Sequence, residues 1–247
     1  MGAEFVQLSL TPLLIAVLAA VTCALPGNFL ILRRQALIGD AISHVVLPGI
    51  VVGFIVTGSV ATWPMMLGAG AAALIAVGMI EAIKRLGKIE PGAAMGVAFT
   101  AMFAAGVLLL EQSNTASVHL DVEHALFGNL ESLIWFEGLG WASLLDPTAL
   151  AQLPPELFRM AAVALVMIVA TVVFWRPLVM ATFDEAFAAS VGVPVTLLSL
   201  MLVVFAAIAA VAAFDAVGSI IVIAMFICPP ATARLLTDRM LAQVLIS

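Results

Sequence analysis

The chain has 247 residues, of which 64% are hydrophobic and only 10% charged, and its mean hydropathy is +1.25. That is more apolar surface than a water-soluble core of this length can absorb, so the composition predicts an all-α, polytopic transmembrane helical bundle. A net charge of −6 and the lack of any Lys/Arg cluster exclude a nucleic-acid groove.

Apolar runs at residues 11–32, 36–56, 61–83, 91–110, 157–175, 194–213 and 217–235 predict seven spans. At about 1.5 Å per residue, each is long enough to cross a hydrocarbon layer of about 30 Å. The first basic residue is Arg33, so residues 11–32 lack the positive leader of a cleavable signal peptide and are expected to remain as a span. Pro26, Gly27, Pro48, Gly49, Pro229 and Pro230 fall inside runs, where a membrane bundle tolerates them if neighbouring helices satisfy the freed backbone groups. The small-residue stretch Gly68-Ala69-Gly70-Ala71-Ala72-Ala73 predicts a surface for close helix approach.

Basic residues fall at alternate span ends: Arg33 and Arg34, then Lys84, Arg85 and Lys88, then Arg176, then Arg234 and Arg239. The positive-inside rule places those ends in the cytoplasm. Residues 111–156 then form an external loop region carrying Glu111, Asp121, Glu123, Glu131, Glu137, Asp146 and Glu156, and its apolar patches at 125–127 and 133–136 predict short helices over the outer mouth. Nothing outside the spans is long enough for a soluble domain, so residues 1–247 read as one transmembrane domain. Cys23 and Cys228 sit in apolar runs and are expected to be free, buried thiols.

Two stretches carry chemistry. Asp40 and His44 lie in the first half of the second run, and at i and i+4 they share one helix face, where a carboxylate oxygen and a ring nitrogen can converge on one ion. This hard-plus-borderline donor pair suits manganese, zinc or ferrous iron better than calcium or magnesium. The bland alternative is a polar pair satisfied within the bundle, but ionisable groups at membrane depth are costly and rarely serve packing alone. Ser43 points to another face and reads as packing, and Cys228 before Pro229-Pro230 reads as a small core residue. Residues 178–193, between Pro177 and Pro194, predict a short cytoplasmic amphipathic helix with Asp184 and Glu185 on it; a helix resting on lipid headgroups would favour Lys and Arg there. Glu81 and Arg85 have the spacing of a helix-end ion pair. No phosphate-cradling Gly-rich loop with Lys and Ser/Thr occurs, so ATP binding by this chain itself is not expected.

The stretch Arg33-Arg34-Gln35-Ala36-Leu37-Ile38-Gly39-Asp40-Ala41-Ile42-Ser43-His44-Val45-Val46-Leu47-Pro48-Gly49 resembles the second-span region of the ABC importer permeases for zinc, manganese and iron. Leu126-Phe127-Gly128-Asn129, Phe183 to Val193, and Val217-Gly218-Ser219-Ile220 through Arg234 agree with the same family, in the same order. The resemblance implies a permease subunit, not an enzyme, that works with a cytoplasmic ATPase, a second permease (identical or homologous) and an external metal-binding protein in the cytoplasmic membrane. It implies that Asp40 and His44 hold the transported Mn2+, Zn2+ or Fe2+, with no permanently bound cofactor, and that a partner subunit supplies the matching pair. It further implies that Phe183, Asp184, Glu185, Ala188 and Gly192 belong to a helix that docks into the ATPase. His119, Asp121, Glu123 and His124 could receive metal outside, but neither a strand nor a helix puts all four on one face, and they read first as solvated loop residues. Family members usually carry at least one more span beyond Arg239, and residues 241–246 begin another apolar run, so eight or more spans are expected in a complete chain. The rival readings are an ion-coupled secondary transporter in which Asp40 and His44 relay protons or metal, and an assembly subunit whose polar pair only pins helices.

Overall fold

A computed structural model describes residues 2–33, 35, 37–58, 62–112, 128, 130–138 and 140–247. Helix α1 (Gly2–Leu8) leads into α2 (Leu10–Leu32), α3 (Leu37–Thr57), α4 (Thr62–Gly87) and α5 (Pro91–Gln112). After 3-10 turns at Leu130–Ser132 and Trp141–Leu145 come α6 (Pro147–Leu150), α7 (Pro155–Val173), α8 (Trp175–Phe183), α9 (Glu185–Ser190), α10 (Val195–Val217), α11 (Ser219–Leu236) and α12 (Met240–Ile246). Long helices stand at all seven predicted runs, with ends within a few residues of those expected. Five described segments are long and apolar enough to cross a membrane, in α2, α4, α5, α7 and α10; α2 is the most enclosed of them. The protein is a multi-pass membrane protein.

The core is centred on α2. Its Ile15, Ala19, Cys23 and Phe29 pack with Met160 and Met167 of α7, Leu202, Ala206 and Ala210 of α10, and Phe226 of α11. Small residues set how near the helices come. A Cβ on Gly27 would overlap the carbonyl oxygen of Phe226, the carbonyl that Pro230 leaves without a helical partner because proline has no N–H. Residue 27 must therefore be glycine for α2 and α11 to meet there.

Contacts sort the connections into two ends. At one end Trp135 is fully buried against Val6 and Ala149; its backbone N–H donates to the Gln7 carbonyl (3.1 Å) and its indole N–H to the Ala149 carbonyl (2.9 Å). Gly128, with φ of +76°, sits against the α10–α11 turn, where a Cβ would strike the backbone of Val217 and Gly218. Residues 133–135 are irregular and 136 lies in a turn, rather than in the expected short helix: Trp135 spends its N–H on Gln7, not on a helical carbonyl. The helix lies later, at α6, capped by Asp146, whose carboxylate accepts from the Thr148 N–H (2.9 Å) and hydroxyl (2.7 Å). Those bonds hold the Asp146 carboxyl below its ordinary pKa. The patch at residues 125–127 lies outside the described residues.

The opposite end is the basic one, holding Arg33, Lys84, Arg176 and Arg234 at helix termini. There Glu81 pairs with Lys84 (3.2 Å); the side chain of Arg85 lies outside those described. Cys23 is buried as expected, whereas Cys228 is exposed, because α11 turns its Phe226 face to α2 and leaves residue 228 outside.

Candidate functional site

Asp40 and His44 both fall within α3, one turn apart, so the backbone places them on one face. Their side chains lie outside those described. What surrounds the helix is well defined. Helix α3 touches α4, α5, α10 and α11, which makes it central to its half of the bundle. Ala41 and Val45, one position round from the pair, are buried, and Val45 packs with Ala72 and Ala76 of α4 and Phe99 and Met102 of α5.

Directly after the pair, the backbone of α3 is gripped from two sides. Gly49 meets Gly68 of α4 so closely that a Cβ on either would overlap the other's carbonyl. Pro48 lies against Gly106 of α5, where a Cβ would come 2.8 Å from the proline Cδ. Gly68 thus does what the small-residue stretch predicts, while Gly70 faces open space. Pro48 also has no N–H to offer the carbonyl of His44, so that oxygen is released from the helix ladder at the position of the candidate metal pair.

At the basic end, residues 178–193 form two helices, not one. Asp184 takes an extended conformation (φ −146°, ψ 93°) between α8 and α9, and its Oδ1 accepts from the Phe187 N–H at 2.8 Å. One of the two acids is therefore an N-cap. Glu185 is exposed in the first turn, Ala188 is fully buried and packs the segment onto the core, and Gly192, with φ of +86°, ends it in the left-handed region. The exposed apolar surface is made by Phe183, Phe187 and Val191, each more than half exposed. Phe187 and Val191 were not singled out in sequence, although their spacing of four from Phe183 was the available signal.

Arg33 closes this end. It follows the last residue of α2; its Nε–H donates to Thr182 Oγ1 of α8 (3.1 Å) and an Nη1–H to Ser199 Oγ of α10 (2.8 Å). Burial pushes its pKa down, and the charge of Glu185 pushes it partly back. A second polar link joins α2 to α12: Gln243 Nε2 donates to Asn28 Oδ1 (3.0 Å), and Asn28 Nδ2 donates to the Ala24 carbonyl (2.8 Å) and to Ser247 Oγ (2.8 Å). Neither link was legible in the sequence. His119, Asp121, Glu123 and His124 lie outside the described residues, and among the described residues no group of three His, Cys, Asp or Glu is placed to hold a metal.

With this geometry in hand, the class is defined by comparison. The sequence pattern of the ABC 3 transport family matches residues 6–134 and 148–247. The manganese transport system membrane protein MntD of Bacillus subtilis is 38% identical over 231 residues, covering 94% of this chain and 75% of that protein. The zinc transport system membrane protein TroD of Treponema pallidum is 36% identical over 217 residues, covering 87% of this chain and 56% of that one. Among solved structures, PsaBC from Streptococcus pneumoniae, in complex with a Fab, superposes with a TM-score of 0.74 at 29% identity over 96% of this chain and 76% of that one. The chain belongs to the ABC 3 transport family. The resemblance to metal-importer permeases read from the motifs thus holds: this is a permease subunit, in a family where ATP hydrolysis belongs to a separate subunit.

Proposed function

We propose that the chain is the membrane subunit of an ATP-driven importer for a divalent transition metal, manganese or zinc with ferrous iron as the third option, in the cytoplasmic membrane. The observation that carries this reading is the placement of Asp40 and His44 on one face of the central helix α3 in a member of this family. One carboxylate and one imidazole hold a metal weakly enough to let it go, and a second permease subunit supplying the same pair would complete a transient site. No cofactor stays bound in this reading; the metal is cargo.

The external end receives metal from a binding protein over the platform built by α1, Trp135 and α6, with His119, Asp121, Glu123 and His124 as secondary candidates for the transfer. The basic end faces the cytoplasm, and the segment 178–193 docks into the ATPase, presenting Phe183, Phe187, Val191 and Glu185, while Asp184, Ala188 and Gly192 give the segment its shape. Residues 1–247 act as one transmembrane domain. The ion-coupled secondary transporter is the weaker reading, because this family's members partner an ATPase.

The test is uptake of manganese, zinc and iron, measured separately in cells carrying Asp40→Ala or His44→Ala, with membrane insertion and ATPase copurification checked alongside. Removing one of the few ligands is expected to lower uptake of the true substrate by about tenfold or more, while insertion stays intact. Unchanged uptake of all three metals would return the pair to a structural role.

A further inference from the structure

Resting on the coupling role proposed for residues 178–193, we infer that Arg33 is a positioning residue that ties the α2–α3 turn to the coupling segment and carries its displacement to α3. Three observations meet at this side chain. It leaves the chain between the end of α2 and the start of α3, seven residues before Asp40. It reaches across 149 residues of sequence to Thr182, in the last turn of α8, and across 166 to Ser199, in the second turn of α10. It also has one nitrogen, Nη2, that is buried without a hydrogen-bond partner among the described residues.

The contacts are directional. The Thr182 hydroxyl donates its own proton to the Leu178 carbonyl (2.7 Å) and accepts from Arg33, so the guanidinium is connected through one hydroxyl to the α8 backbone. The planar fork of arginine binds Thr182 and Ser199 at once, which a lysine ammonium on a flexible stem does not reproduce. Its charge also lies beside the carbonyl ends of α2 and α8, where a cation is favoured. A buried donor without a partner is costly, and Glu185, the acid whose field acts on Arg33, sits exposed at the start of α9. A shift of α9 under the ATPase that brings the Glu185 carboxylate to Nη2 would satisfy that donor. The coupling segment thereby has a specific, polar handle on the helix that holds the metal pair.

The experiment uses the permease assembly purified with its ATPase partner in proteoliposomes and supplied with its external binding protein, reading manganese ions moved per ATP hydrolysed, ATPase capture, and melting temperature. Arg33→Lys and the Thr182→Val plus Ser199→Ala double variant keep the charge or the arginine itself, and so test the link without leaving a cavity. Both are expected to retain ATPase capture while the ratio of metal moved to ATP hydrolysed falls about tenfold, the scale of losing hydrogen bonds to a charged group. Glu185→Gln is expected to lower the same ratio by a smaller factor. A normal ratio in both Arg33→Lys and the double variant overturns the inference, as does loss of ATPase capture, which would make Arg33 part of the docking surface. Wild-type protein that captures no ATPase would overturn the coupling reading itself, and the inference with it.

Discussion

Helices α2 and α3 are consecutive in sequence and are fixed in the bundle by different means. The basic half of α2 is pinned by directional bonds: Arg33 to Thr182 and Ser199, Asn28 to Gln243 and Ser247. The middle of α3 is held by shape, with Gly49 against Gly68 and Pro48 against Gly106. Side-chain hydrogen bonds fix the end of α2 in direction, whereas at the glycine crossing direct backbone contact fixes how near α3 and α4 come.

The glycine crossing is the point most sensitive to substitution. Gly49→Leu or Gly68→Leu forces a side chain into the opposite backbone and is expected to destabilise the fold by about 3 kcal/mol or to prevent it, seen as loss of monodisperse protein in detergent and a lowered melting temperature. Gly70→Ala, two positions away and facing open space, sharpens the contrast: it should be neutral or stabilising by up to about 1 kcal/mol, as a helix former replaces glycine. On the α2 side, Asn28→Ala strands Gln243 in the core and should cost about 1–2 kcal/mol; combining it with Gln243→Ala should recover part of that loss in a double-mutant cycle. A smaller loss belongs to Asp184→Ala, which removes the α9 cap at a cost of about 1 kcal/mol. It should be read as faster amide exchange at residues 185–190 with little change in global melting.

The long helices were legible because apolar runs of about 20 residues have few other uses, and their ends fell where charges and prolines interrupt them. The face shared by Asp40 and His44 was legible from spacing alone. The break at Asp184 was not: an acid beside another acid in a short amphipathic stretch reads as a polar face, and only its extended backbone reveals a cap. The exposure of Cys228 was hidden because α11 is apolar all round, so hydropathy does not say which face meets α2 and which meets lipid. The links made by Arg33 and Asn28 join residues more than 140 positions apart, and no local pattern encodes such a pairing.

Were α3 to tilt, the Gly49–Gly68 contact is the point on which it would turn. Asp40 lies nine residues from it along α3, a lever arm of about 13 Å. Tilting the helix by about 5° at that point would carry the backbone of Asp40 by roughly 1 Å at its 1.5 Å rise per residue, and metal–ligand distances are held to within about 0.2 Å. In the metal site proposed above, a tilt of that size would be enough to assemble the ligand set or take it apart.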